Sequence, residues 1–156
     1  MSMDNALRNT LQGKVVILGV GNIDKGDDGA GSTLVREIDG RVSATCIDAG
    51  VAPENFLEKI VAEQPDTVLI VDATDFGGNP GDVRIFDPSQ VRAGGLSTHA
   101  LSLDMVDQYL KGRIDTKIHL LAIQPGQIKS EELSPVVAES LKDLKTTLLA
   151  VCPASG

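Results

Sequence analysis

Three ionisable side chains fall where an α/β protein places its chemistry. Asp28 lies in the glycine-rich turn Gly19-Val-Gly-Asn-Ile-Asp-Lys-Gly-Asp-Asp-Gly29, Asp72 closes the apolar run Thr67-Val-Leu-Ile-Val71, and His99 ends Ser97-Thr-His99. Carboxylate oxygens and imidazole nitrogens are donors for first-row divalent ions such as nickel or zinc. Three protein ligands would leave coordination positions open, as catalytic and substrate-capturing sites do and closed structural sites do not. Each residue also has a plainer role on its own. Asp27 or Asp28 can cap a helix, Asp72 can bond the turn at Thr74 and Asp75, and His99 can sit on the surface near a helix start. Convergence of all three on one sheet edge is what would make a site.

Other chemistries fit less well. Gly19-x-Gly21 follows a strand, as in a dinucleotide-binding turn, but the third glycine of that fingerprint is replaced by Asp24. Asp27-Asp28 would also meet a pyrophosphate with like charge, although Asp48 could imitate the ribose-binding acid. Ser97, Thr98 and Ser102 surround His99, yet no G-x-S-x-G elbow precedes a helix. Cys46 could pair with His99 as a thiol nucleophile, but it falls inside a strand and reads as a small packed hydrophobe. His119 alternates with leucines and reads as outward-facing.

The elements that would position these residues alternate along the chain. Strand-length apolar runs are Lys14–Val20, Ser43–Ile47, Thr67–Val71 and Lys117–Ile123, with a shorter strand at Val83–Phe86. Helical spacing appears over Asp27–Ile38, after Pro53 (Phe56, Leu57, Ile60, Val61), after His99 (Leu101, Met105, Tyr109 with Leu103, Val106, Leu110), and from Ser134-Pro135 to about Leu149. The turn Gly77-Gly-Asn-Pro-Gly81 is too short for a parallel crossover, so Val83–Phe86 should run antiparallel. The expected fold is a three-layer α/β/α sandwich on a mostly parallel five-stranded sheet with one antiparallel strand. It occupies residues 14–152 as a single domain, preceded by a loose polar arm at 1–13. Sites in such sheets form outside the carboxyl ends of the strands, where Asp28, Asp72 and His99 are expected.

Composition sets the outer limits. The chain has 156 residues, enough for one core. Three Phe, one Tyr and no Trp leave aliphatic side chains to fill it. Fourteen basic against 22 acidic side chains give a net charge of −8, with no basic stripe to release counterions from a nucleic acid. Cys46 and Cys152 form no C-x-x-C. No apolar run approaches the ~20 residues of a membrane span, and the polar start has no signal-peptide core. A soluble, cytoplasmic protein without nucleic-acid or membrane partners is the expectation.

In order along the chain stand Gly19-Val-Gly-Asn22, Gly26-Asp-Asp-Gly-Ala-Gly31, Asp48-Ala-Gly-Val-Ala-Pro-Glu-Asn55, Val71-Asp-Ala-Thr-Asp75, Asn79-Pro-Gly81, Ser97-Thr-His99 and Ile123-Gln-Pro125. With these stretches the chain resembles the hydrogenase maturation endopeptidases of the HycI type, over residues 14 to 150. The resemblance implies an endopeptidase that removes the C-terminal extension of a nickel-loaded [NiFe]-hydrogenase large-subunit precursor. It implies that the substrate carries the nickel and that no organic cofactor is needed. It also assigns Asp28, Asp72 and His99 as the catalytic, metal-contacting residues, with Asp27 supporting the turn. A nickel-delivery chaperone without peptidase activity and a nucleotide-binding module are the alternatives. The arm at 1–13 and a comparatively short C-terminus are departures from the family pattern.

Overall fold

Apolar side chains on alternating strand positions dictate two cores, one on each side of a single sheet. The computed structural model describes residues 2–92, 101–126 and 131–155. Strands β1 (Val15–Val20), β2 (Thr45–Gly50), β3 (Thr67–Ala73), β4 (Val83–Phe86) and β5 (Lys117–Ile123) form one sheet in the order β2-β1-β3-β5-β4. All neighbours pair in parallel except β4, which runs antiparallel to β5. The expected three-layer fold, with its single antiparallel strand, is therefore present.

Among the described residues six α-helices flank the sheet: α1 (Met3–Thr10), α2 (Ala30–Ile38), α3 (Leu57–Glu63), α4 (Pro88–Arg92), α5 (Leu101–Leu110) and α6 (Pro135–Val151). Ile17, Leu69, Val71, Leu121 and Ile123 meet α1, α2 and α6 on one face. Val16, Leu18, Val68, Ile70, Leu120 and Ala122 meet α3 and α5 on the other. Every residue of β1 and of β3 is buried, which explains why those strands read as unbroken apolar runs. On α5 the packed stripe is Leu103, Val106 and Leu110, whereas Met105 is exposed. Among the described residues no helix is long and apolar enough to cross a membrane.

The N-terminal arm is not loose. Ser2 caps α1 by accepting the Asn5 N–H through its hydroxyl, and Leu7 is 0% exposed in the core beside α6. Met3, Leu7 and Leu11 form a narrow stripe at helical spacing, easily missed among polar neighbours. Leu7→Ala is expected to cost about 2–5 kcal/mol, the usual range for emptying a fully packed leucine site. A chemical-denaturation midpoint checks this, and an unchanged midpoint would restore the loose-arm reading.

Candidate functional site

The glycine-rich turn after β1 becomes a single 3-10 turn, Gly26–Gly29, before α2 starts at Ala30. The helix expected from Asp27 thus begins three residues later. Close packing enforces the turn's shape. Gly21 has φ +146°, and a Cβ there would lie 2.1 Å from the Asp28 carbonyl oxygen. A Cβ on Gly31 would lie 2.1 Å from the Val71 carbonyl oxygen, so only glycine lets α2 rest against the end of β3. These two contacts bring the Asp27-Asp28 pair to the carboxyl end of the strand that carries Asp72.

The two adjacent aspartates then divide their roles. Asp27 is 0% exposed and fully engaged. Its Oδ1 accepts the Ser134 backbone N–H at 2.7 Å, and its Oδ2 accepts the Gly126 N–H at 2.8 Å and the Ser134 hydroxyl at 2.7 Å. Asp27 therefore ties the turn to the segment after β5 and to the start of α6. Ser134 is the N-cap residue of α6, but its hydroxyl serves Asp27 and not the helix. Asp28 is half-buried, and its Oδ2 accepts the Asn22 N–H at 3.3 Å.

Asp72 is the unusual group. It is 1% exposed, and neither carboxylate oxygen has a hydrogen-bond partner among the described residues. The next residue but one, Thr74, is 0% exposed with an unpartnered hydroxyl. Burial raises the Asp72 pKa well above the ordinary carboxylate range, and the nearby Asp28 carboxylate raises it further. The Ala73 backbone N–H pulls the other way without reaching hydrogen-bond geometry. Leaving buried polar atoms unpaired costs roughly 1–3 kcal/mol each. Such a group can take a proton or a cation. Two oxygens of Asp72, facing a second carboxylate, suit a divalent ion as donor set.

His99, the third expected ligand, lies outside the described residues. Among the described residues no three His, Cys, Asp or Glu side chains gather as a metal cluster. The described part of the candidate site is therefore the pair Asp28 and Asp72.

Gln124, which the sequence offered only within the stretch Ile123-Gln-Pro125 and with no role of its own, shapes the site. Its Oε1 accepts the N–H groups of Phe76 and Gly78 at 2.9 and 3.0 Å, and its Nε2 donates to Asp75 at 3.1 Å. One buried side chain thus pins the loop that follows Asp72. Its sequence signal was its place in Ile123-Gln-Pro125, between a strand and a proline.

The rejected chemistries have structural reasons. Asp48 bonds Arg36 at 2.5 Å and accepts the Gly50 N–H, so it is committed within the fold and not presented to a ribose. Partial burial pushes the Cys46 thiol up to about 12, with Asp39 and Cys152 adding to the effect, so it remains protonated. His119 is half-buried, not outward-facing, beside Asp87, Asp107 and Lys117. Burial lowers its pKa and Asp87 opposes this. His119 follows the opening residues of β5, whereas Asp72 lies level with Ala122 near that strand's end. His119→Ala is accordingly expected to leave peptide cleavage within about twofold of the parent. A tenfold loss in a cleavage assay would bring His119 into the site.

A three-layer α/β/α protein with a buried and a half-buried carboxylate side by side at the strand ends is thus defined by fold and site. The family model for HycI, hydrogenase maturation protease, matches residues 29–151. The chain is 42% identical over 113 residues to the hydrogenase 3 maturation protease of Escherichia coli K12, covering 70% of this chain and 72% of that protein. It superposes on the HycI [NiFe]-hydrogenase maturation protease of Thermococcus kodakarensis with TM-score 0.82 at 32% identity, covering 94% and 97% of the two chains. It also superposes on the endopeptidase HycI of Escherichia coli with TM-score 0.76 at 31% identity, covering 88% and 90%. The chain belongs to the HycI hydrogenase maturation protease family.

Proposed function

We propose that this protease removes the C-terminal extension of a [NiFe]-hydrogenase large-subunit precursor, and that nickel carried by the precursor is what it recognises. The observation that carries this reading is Asp72, buried with both oxygens unpartnered and faced by Asp28. Without a cation the two carboxylates repel each other, so docking is disfavoured. Nickel held by substrate thiolates, with positions still open, would take Asp28, Asp72 and His99 as further donors. An ion so placed can polarise a neighbouring carbonyl or lower the pKa of a bound water. Asp27 and Gln124 supply rigidity: the first fixes the turn that carries Asp28, the second the loop beyond Asp72. The reading needs no organic cofactor and no nucleic acid, and places the reaction in the cytoplasm.

The test is the mass of a nickel-loaded precursor before and after incubation with the protein. Loss of a single C-terminal peptide is expected. An unchanged precursor mass together with transfer of nickel between protein and precursor would establish a delivery chaperone instead.

A further inference from the structure

Asp72 does not stand alone in its row of the sheet. Ala122 pairs with Asp72 on one side and with Arg84 on the other. Laterally paired residues project from the same face, so Arg84 shares the face of Asp72, two strands away, at about 10 Å between backbones. The only side chain between them in that row is the methyl group of Ala122. Ala122 and Phe86 belong to the core on that face, and Phe76 packs against it.

Arg84 is exposed yet held in place by aromatic rings. Its Cζ lies 5.2 Å from the centre of the Phe76 ring and 6.0 Å from that of Phe86. The two rings meet edge to face, with centroids 5.7 Å apart and planes at 60°. Gln124 fixes the Phe76 end of this cradle by accepting its backbone N–H. A guanidinium whose Cζ sits over aromatic rings still has N–H groups to offer a planar anion. The acids of the adjoining loop do not consume those groups. Asp75 accepts from Gly77 and Gln124, Asp82 accepts from Asn79, and among the described residues neither forms an ion pair with Arg84. In a protein of net charge −8, an arginine seated over two aromatic rings, without a carboxylate partner among the described residues and beside a carboxylate site, is a specific feature.

Resting on the processing reaction proposed above, we infer that Arg84 is a specificity-determining residue that binds a carboxylate of the substrate's C-terminal extension. The precursor's metal end would sit at Asp28 and Asp72, so the segment to be removed leads from there toward the sheet edge at β4. Ten ångströms of extended chain is about three residues. The carboxylate is therefore an Asp or Glu side chain about three residues beyond the cleaved bond, or the chain terminus folded back to that place. Bidentate geometry favours arginine over lysine here.

The experiment measures kcat and KM for cleavage of nickel-loaded precursor by the parent protein, Arg84→Gln and Arg84→Lys. Three precursors are used: the unaltered one, one with the acidic residues near the start of the extension changed to amides, and one carrying a C-terminal carboxamide. Arg84→Gln is expected to raise KM about tenfold on the unaltered precursor and leave kcat within about twofold. Arg84→Lys should fall between, and it decides the matter if the glutamine variant does not fold. The penalty should vanish on one neutralised precursor, which names the carboxylate's source. An unchanged KM in either folded variant, or a penalty undiminished on both neutralised precursors, would overturn the assignment while leaving the cleavage reaction standing. If the parent protein cleaves no precursor, the proposed reaction itself fails and the inference with it.

Discussion

Asp72→Asn is expected to abolish processing and, at the same time, to make the protein more stable. Loss of a residue that only orients a metal ligand costs 10–100-fold in affinity or activity, so loss of a ligand oxygen should exceed ~100-fold. The stability gain follows from what Asp72 lacks. Its oxygens are buried and unpartnered, and burial and then Asp28 hold its pKa well above the ordinary range. The folded state therefore binds the Asp72 proton more tightly than the unfolded chain does. This contribution to stability is whole below the unfolded carboxylate value, ~3.9, and is lost as pH rises toward the raised folded value. Asparagine does not titrate and carries no charge. Its advantage should be small near pH ~4 and should grow as pH rises, to about 1–2 kcal/mol at neutral pH. That corresponds to a thermal midpoint higher by roughly 2–8 °C for a domain of this size. Thermal melts of parent and variant at both pH values, paired with a cleavage assay, check both halves. A less stable Asn variant would mean that Asp72 has partners in the fold and is no reserved ligand. An active one would remove it from the site.

How much of this was legible beforehand varied with the physics. Buried parallel strands announce themselves as β-rich apolar runs, so β1, β3 and β5 read plainly, and the short Gly-Asn-Pro-Gly turn dictated an antiparallel β4. The nearness of Asp28 to Asp72 at the strand ends was legible because both follow apolar runs that the sequence marks as buried strands of one sheet. Helix α1 was not, since its stripe is only one side chain wide and its burial depends on α6, far along the chain. Helix α4, five residues with Pro88 at its start, carries too little periodicity to be seen. Asp27 and Gln124 act through contacts to Gly126, Ser134, Phe76 and Gly78, none fixed by local pattern. Nor could spacing show that Ala122 joins Asp72 and Arg84 in one row, because register across three strands is a tertiary property.

On the proposed reading, the larger effect is a requirement for nickel on the substrate and not on the enzyme. None of the three expected ligands is a thiolate, and a site with open positions binds an ion weakly until another molecule completes its shell. The protein purified without added metal should be folded and largely metal-free, because its folding free energy comes from the aliphatic layers on both faces of the sheet. A chelator should accordingly leave its thermal midpoint within about 1 °C, as expected when no bound ion contributes to stability. Tightly held stoichiometric zinc would instead mark an ordinary metalloprotease. The direct measurement incubates metal-free enzyme with nickel-loaded or nickel-free precursor and follows the precursor's mass over time. Cleavage of the nickel-loaded form at least about 100-fold faster is expected, because the Asp28 and Asp72 carboxylates gain a shared cation in one case and keep their mutual repulsion in the other. Equal cleavage of both forms would contradict the account.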